Sequence, residues 1–191
     1  MTIRSESGNV TLEACISVLT FLILMLFLSS LFILFMAQNM TAHAMLQTAQ
    51  SLSLDSYTID ALSLGDGKSE DLGELLATGV SRIYGSSDSN PYFVTDNLWY
   101  NGDSAAVSAE VRERFVGYLS GGDETKADDL LRSMNVVNGL AGLDFSQSAV
   151  SDGMLTAVVT YELEYDFDIW GVDNIAVEQK SCAQLWKKDG G

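Results

Sequence analysis

Residues 14–37 read ACISVLTFLILMLFLSSLFILFMA, 24 residues in a row without a formal charge. Fifteen of them are Leu, Ile, Val or Phe. As a helix rising ~1.5 Å per residue, the run crosses a hydrocarbon core of ~30 Å. At roughly −0.3 to −0.6 kcal/mol each, those side chains favour insertion by about 5 to 9 kcal/mol. Glu13, at the entrance to the run, costs about 3 kcal/mol at the centre of a span and less at its edge. Insertion therefore wins, and the segment is expected to anchor the chain in a membrane. A removable secretory signal fits poorly. Such signals have apolar cores of about 7–15 residues behind a basic front. Here the core is longer, only Arg4 precedes it, and the small residues Ala42–His43–Ala44 come too late for a cleavage site.

The charges give an orientation. Arg4 and the amino terminus lie on the short side, which is expected to stay cytoplasmic. From Asp55 onward the chain carries 24 acids against 9 Lys and Arg, and this part is expected to be extracytoplasmic. An acidic exterior argues against nucleic acid and anionic lipid as partners and is most simply a solubility device. Of the 2 cysteines, Cys15 lies in the span and Cys182 far along the exported part. No internal disulfide is expected, and Cys182 reads as a small apolar filler.

The helix is expected to continue past the membrane. Ala42, Met45, Leu46, Ala49 and Leu52 keep a helical spacing, with Gln38, Thr41, Thr48 and Ser51 elsewhere on the wheel. Neither Gly nor Pro interrupts 9–56. The result is a rod of ~65–70 Å, half in lipid and half laid on the following domain. Leu64–Lys68 reads as a loop, and Ser69 caps a helix with Leu72, Leu75, Leu76, Val80 and Ile83 inward, stopped by Gly85. Loop 86–91 and the apolar patches Tyr92–Val94 and Leu98–Tyr100 follow. Residues 104–119 read as a helix with Val107, Val111, Phe115 and Leu119 four apart, although Val107, Ala109 and Val111 also alternate as in a strand. Thr125 and Asp128 resemble a capping box for a short helix through Leu130, Leu131 and Met134.

The last fifty residues change period. In 154–169 one face is Leu155, Ala157, Val159, Tyr161, Leu163, Tyr165, Phe167 and Ile169, and the other ends in Glu162, Glu164, Asp166 and Asp168. Such alternation predicts a strand with one wet face. A weaker strand over Leu143–Ala149 precedes it through a Ser151-Asp152-Gly153 turn, and a third, Ile175–Trp186, follows it. An antiparallel meander packed on helices makes the fold class α+β.

Catalytic chemistry finds little to use. His43 is the only histidine and sits just past the span, which leaves no other base for a nucleophilic triad. No phosphate-binding glycine loop, paired-cysteine zinc spacing or calcium loop occurs. Glu162, Glu164, Asp166 and Asp168 lie ~6.6–6.8 Å apart in sequence along a strand, too far to converge on one ion, and Lys180 is placed to offset them. They read as a solvated face. No metal, cofactor or enzymatic activity is expected.

The mouth of the span is more informative. The hydrophilic MTIRSESG, a glycine at Gly8, then NVTLEA with Glu13 fifth after it, leads into the apolar run. This arrangement resembles the class III signal of type IV pilins, and more narrowly the TadE-like pseudopilins of tight-adherence (Flp pilus) systems. The resemblance covers about residues 4–56 and rests on Gly8, Glu13 and the run. It implies that a membrane-embedded prepilin peptidase cuts the Gly8–Asn9 bond. It also implies that the mature chain works with other pilins or pseudopilins and a pilus assembly platform in the membrane lipid. The chemistry has a reason of its own. Cutting frees an ammonium on Asn9 with an unperturbed pKa of ~7.7–8.0, and an amine and a carboxylate at the lipid border attract strongly. Glu13, one turn on, is expected to neutralise either its own terminus or that of a staggered neighbour.

The expected organisation is a leader over 1–8, a transmembrane helix and stalk over 9–56 with its span at about 14–37, and an exported α+β head over 57–191. The leading reading is a minor pseudopilin. The alternative is an uncleaved single-pass membrane protein whose head binds a partner.

Overall fold

A computed structural model of the chain describes residues 6–63, 104–165 and 174–186, and the side chains of 10–56 within the first of these. The elements expected over 64–100, and the acids Asp166 and Asp168, lie outside the described residues. The first helix, α1, runs from Glu6 to Ser63, 58 residues. At ~1.5 Å per residue it is ~87 Å long, longer than expected at both ends. The chain offers no glycine or proline between Asn9 and Leu64 to stop it.

Two halves of α1 have different surroundings. From Val10 through Leu26 every side chain is exposed. Beyond that, Ser30, Leu34, Ala37, Thr41, Ala44, Met45, Thr48, Ala49, Leu52, Asp55 and Ser56 are buried, at steps of three and four that make one stripe. The stripe lies to one side of the expected one. Ala42 and Leu46 are exposed, whereas Thr41 and Thr48 are completely covered. Their hydroxyls drew them to the wet side of the wheel in a hydropathy reading, but a threonine is small enough to let a sheet approach a helix closely. Its hydroxyl can also bond to the preceding turn, as Thr41 Oγ1 does to the Ala37 carbonyl at 2.8 Å.

Helix α2 spans Ser104–Ser120 and buries Val107, Val111 and Phe115 as their spacing predicts, which excludes the strand alternative. Gly121 at φ +73° ends it, with its N–H bonded to the Gly117 carbonyl at 2.9 Å. Helix α3, Glu124–Ser133, is capped by Asp123, whose Oδ1 accepts from the N–H groups of Thr125 and Lys126, each at 3.1 Å. The cap therefore precedes the expected Thr125. Asp128 takes another part, pairing with Arg132 at 2.7 Å and accepting from the Leu140 N–H at 2.8 Å. It thereby fastens α3 to the 3₁₀ turn Gly139–Gly142.

The sheet is antiparallel, β1 (Ala149–Ser151), β2 (Met154–Leu163) and β3 (Ile175–Gln184), in that spatial order. Asp152 and Gly153, at φ +52° and +72°, make the two-residue turn between β1 and β2. Two positive φ angles suit the strand twist, and the Asp-Gly pair adopts them readily. The strand expected over Leu143–Ala149 shrinks to β1 and one bridge at Asp144. Ser148 is the cause: its Oγ donates to the Val158 carbonyl at 3.1 Å and accepts from the Val158 N–H at 3.0 Å. A side chain thus does what the strand backbone would have done. Leu155, Ala157, Val159, Tyr161 and Leu163 of β2 are buried, as alternation requires. They close a core with the upper half of α1, Val111 and Phe115 of α2, and Leu131 of α3. Phe115 and Phe145 meet at 5.3 Å between ring centroids.

Candidate functional site

The amino-terminal signature sits on α1. Gly8 and Asn9 fall in its first turns, and Glu13 follows Asn9 by one turn, exposed and without an ion pair among the described residues. No side chain from Val10 to Ser29 is buried: all are exposed except Phe27, which is half-buried. Twenty residues at ~1.5 Å give ~30 Å, the thickness of a hydrocarbon core. Among the described residues this is the one helix long and apolar enough to cross a membrane.

The second constellation joins the upper end of α1 to the head. Arg114 of α2 is fully buried. Its Nε donates to Glu110 Oε1 at 3.1 Å, one Nη donates to Ser51 Oγ at 2.8 Å, and the other pairs with Asp55. A planar guanidinium with several donors suits three partners arranged around it. Two carboxylates share one cation, so the cluster holds an excess negative charge when both are ionised. Burial outweighs the pull of Arg114 and pushes the Asp55 carboxyl up to about 6. Glu110 is raised for the same reason, with exposed Glu113 adding repulsion. Sequence reading missed the cluster, because Ser51 and Asp55 lie 63 and 59 residues from Arg114 along the chain.

Polar contacts also seat α1 on the sheet. Tyr161 OH meets Thr41 Oγ1 at 2.8 Å and accepts from Gln179 Nε2 at 3.1 Å, and the same Gln179 amide reaches the Gln38 carbonyl at 2.9 Å. Farther along, Ser53 Oγ donates to the Gln184 carbonyl, and the Trp186 N–H donates to Ser56 Oγ at 3.2 Å. Strand β3 therefore runs beside α1 in the same direction.

The remaining candidates are solvated. His43 is exposed, as are Glu162 and Glu164, and no cluster of metal-ligating side chains occurs among the described residues. Lys180 pairs with its own-strand neighbour Glu178 at 2.6 Å, and Glu162 takes the Asn174 amide at 3.2 Å. Cys182 is exposed, not a filler, and both cysteines are free. An open groove beside β2 and β3 includes Asp144, Glu162 and Glu178. Asp144 is already engaged by the Ser146 N–H at 2.8 Å and its hydroxyl at 3.0 Å, which holds its carboxyl below the usual range. No protein-family model matches the chain, and no curated protein or solved structure matches it.

Proposed function

We propose that this chain is a minor pseudopilin of a tight-adherence or type IV-like pilus or secretion apparatus. On this reading it is processed after Gly8, held in the membrane by α1, and supports filament assembly with other pilins and an assembly platform. The observation that carries the reading is the glycine-to-glutamate spacing at the start of a helix that has no buried side chain over one membrane thickness and then enters a folded head. A bare apolar helix needs lipid or other apolar helices around it. A carboxylate one turn inside that helix needs a cation, and a freshly cut Asn9 amine supplies one. The charge asymmetry, Arg4 on the short side against 24 acids and 9 Lys and Arg from Asp55 onward, supports an extracytoplasmic head and cytoplasmic first residues.

Replacing Glu13 by Gln separates assembly from insertion. The variant is expected to insert as the parent does, because removing a charge lowers the cost of burial. It is expected to lose most of its association with other pilins in detergent extracts of membranes. Undiminished co-purification and fibre production would refute the proposal.

A further inference from the structure

Two boundaries on α1 disagree by about two turns. The first buried positions on the helix are Ser30 and Leu34. On the uncovered side, large apolar side chains continue to Phe32, Phe35 and Met36, which are 69%, 60% and 44% exposed. If the bilayer ended where the head begins, those three side chains would stand in water. If the head stood clear of a bilayer reaching Met36, the covered stripe from Ser30 would have no head on it. Both boundaries hold together only where the lower edge of the head overlaps the lipid along Ser30–Met36, ~10 Å of helix.

The end of the head that overlaps is fixed by the seating of β3. Gln179 lies at the level of Gln38. Ala176 is three residues nearer the strand's start, ~10 Å lower at ~3.4 Å per residue, hence level with about residue 31 of α1. Its cross-strand partner is Glu162, and Leu163 pairs with Ile175. The opposite end of the sheet, where Met154 pairs with Gln184, lies ~27 Å farther from the membrane.

We propose that the β2–β3 end of the head, around Glu162, Glu164, Ile175 and Ala176, is seated in the headgroup layer where α1 leaves the bilayer. A headgroup layer adds ~5–8 Å to each side of the hydrocarbon core, close to the depth of the overlap. The charges at this end select the lipid. Glu162, Glu164 and Glu178 are exposed, and the neighbouring Lys180 is already paired with Glu178. Zwitterionic headgroups with an outward ammonium suit such a surface, and anionic headgroups do not. The inference rests on α1 spanning the membrane and not on leader cleavage or pilus assembly.

The test uses the full chain with Cys15→Ser and Cys182→Ser in phosphatidylcholine–phosphatidylethanolamine vesicles. A fluorescent probe is placed at Ala176→Cys or Glu164→Cys, and at Met154→Cys as the distant control. Headgroup-attached nitroxide should quench the two lower probes several-fold more strongly than the control, and aqueous iodide should quench them less. Equal nitroxide quenching at both ends would overturn the proposal. Shielding from iodide that disappears when the protein is diluted in lipid would also overturn it, because a second copy of the chain would then be the cover. Neither readout depends on cutting at Gly8 or on the charge of Glu13, so the pilus reading can fail while this one holds.

Discussion

The two halves of α1 are both rich in apolar residues, yet they are built for different surroundings. The lower half places Leu, Ile, Phe and Met on all sides, and all of them are exposed from Val10 to Leu26. The upper half concentrates small residues on one stripe, Ala37, Thr41, Ala44, Thr48 and Ala49, and these are buried under the head. Large side chains all round suit a fluid solvent that moulds itself to them. Small ones on a stripe suit a rigid neighbour that must come close. Mean hydropathy already falls from the lower half to the upper, and the small residues interleaved with Leu34, Met45 and Leu52 on the buried stripe add the reason the head can come close.

The contrast can be broken most forcefully at Arg114. Its replacement by Met leaves Asp55 and Glu110 buried without their cation, and the head should lose about 3–5 kcal/mol of stability in urea unfolding of the detergent-solubilised protein. Membrane insertion should be unchanged, because the cluster lies far from the span. Next comes a matched pair of truncations. Leu52→Ala in the gripped half should cost about 2–4 kcal/mol in the same assay. Leu22→Ala in the bare half should stay within about 0.5 kcal/mol. Similar losses at the two sites would erase the distinction between the halves.

A pH series sharpens the comparison. The Asp55 carboxyl is raised from 3.8 to about 6, so the folded head takes up a proton more readily than the unfolded chain does. The stability tied to that proton is fully present below about pH 4 and is lost as pH rises through about 6. Asp123, Asp128 and Asp144 are held low by their hydrogen bonds and act in the opposite sense, losing their contribution on acidification. Asp55→Asn should flatten the fall between about pH 4 and 6 that a thermal melt series records, and an unchanged slope would remove Asp55 as its source. Among the substitutions in the head-covered half, the smallest loss belongs to Thr41→Val. It removes one hydrogen bond to Tyr161, which keeps Gln179, and should cost about 1 kcal/mol in the urea assay.

Much of the fold was legible because it follows local periodicity. The bare span, α2, the Asp-Gly turn and the buried face of β2 all read directly from spacing. Local hydropathy misplaced the stripe on α1, since Thr41 and Thr48 look polar until a sheet is laid on them. The cap of α3 was misread because Thr125 and Asp128 satisfy a spacing rule while Asp123 holds the better position for the free N–H groups. Ser148 interrupts a strand through its hydroxyl, which no alternation pattern records. The Arg114 cluster was illegible for a different reason. Glu110 is one turn away on α2, but Ser51 and Asp55 come from α1, and only the tertiary fold brings them to Arg114. At the amino terminus the reverse holds, for Gly8 and Glu13 are conspicuous in the sequence, while the described residues of a single chain offer Glu13 no cation.

Mass spectrometry of the mature amino terminus, on protein drawn from membranes with an active prepilin peptidase, bears most directly on the pseudopilin account. A polypeptide beginning at Asn9 is the predicted result, reverting to the full leader when the peptidase is absent. An intact Met1 with the peptidase active, or a first residue beyond Ala37, would contradict it.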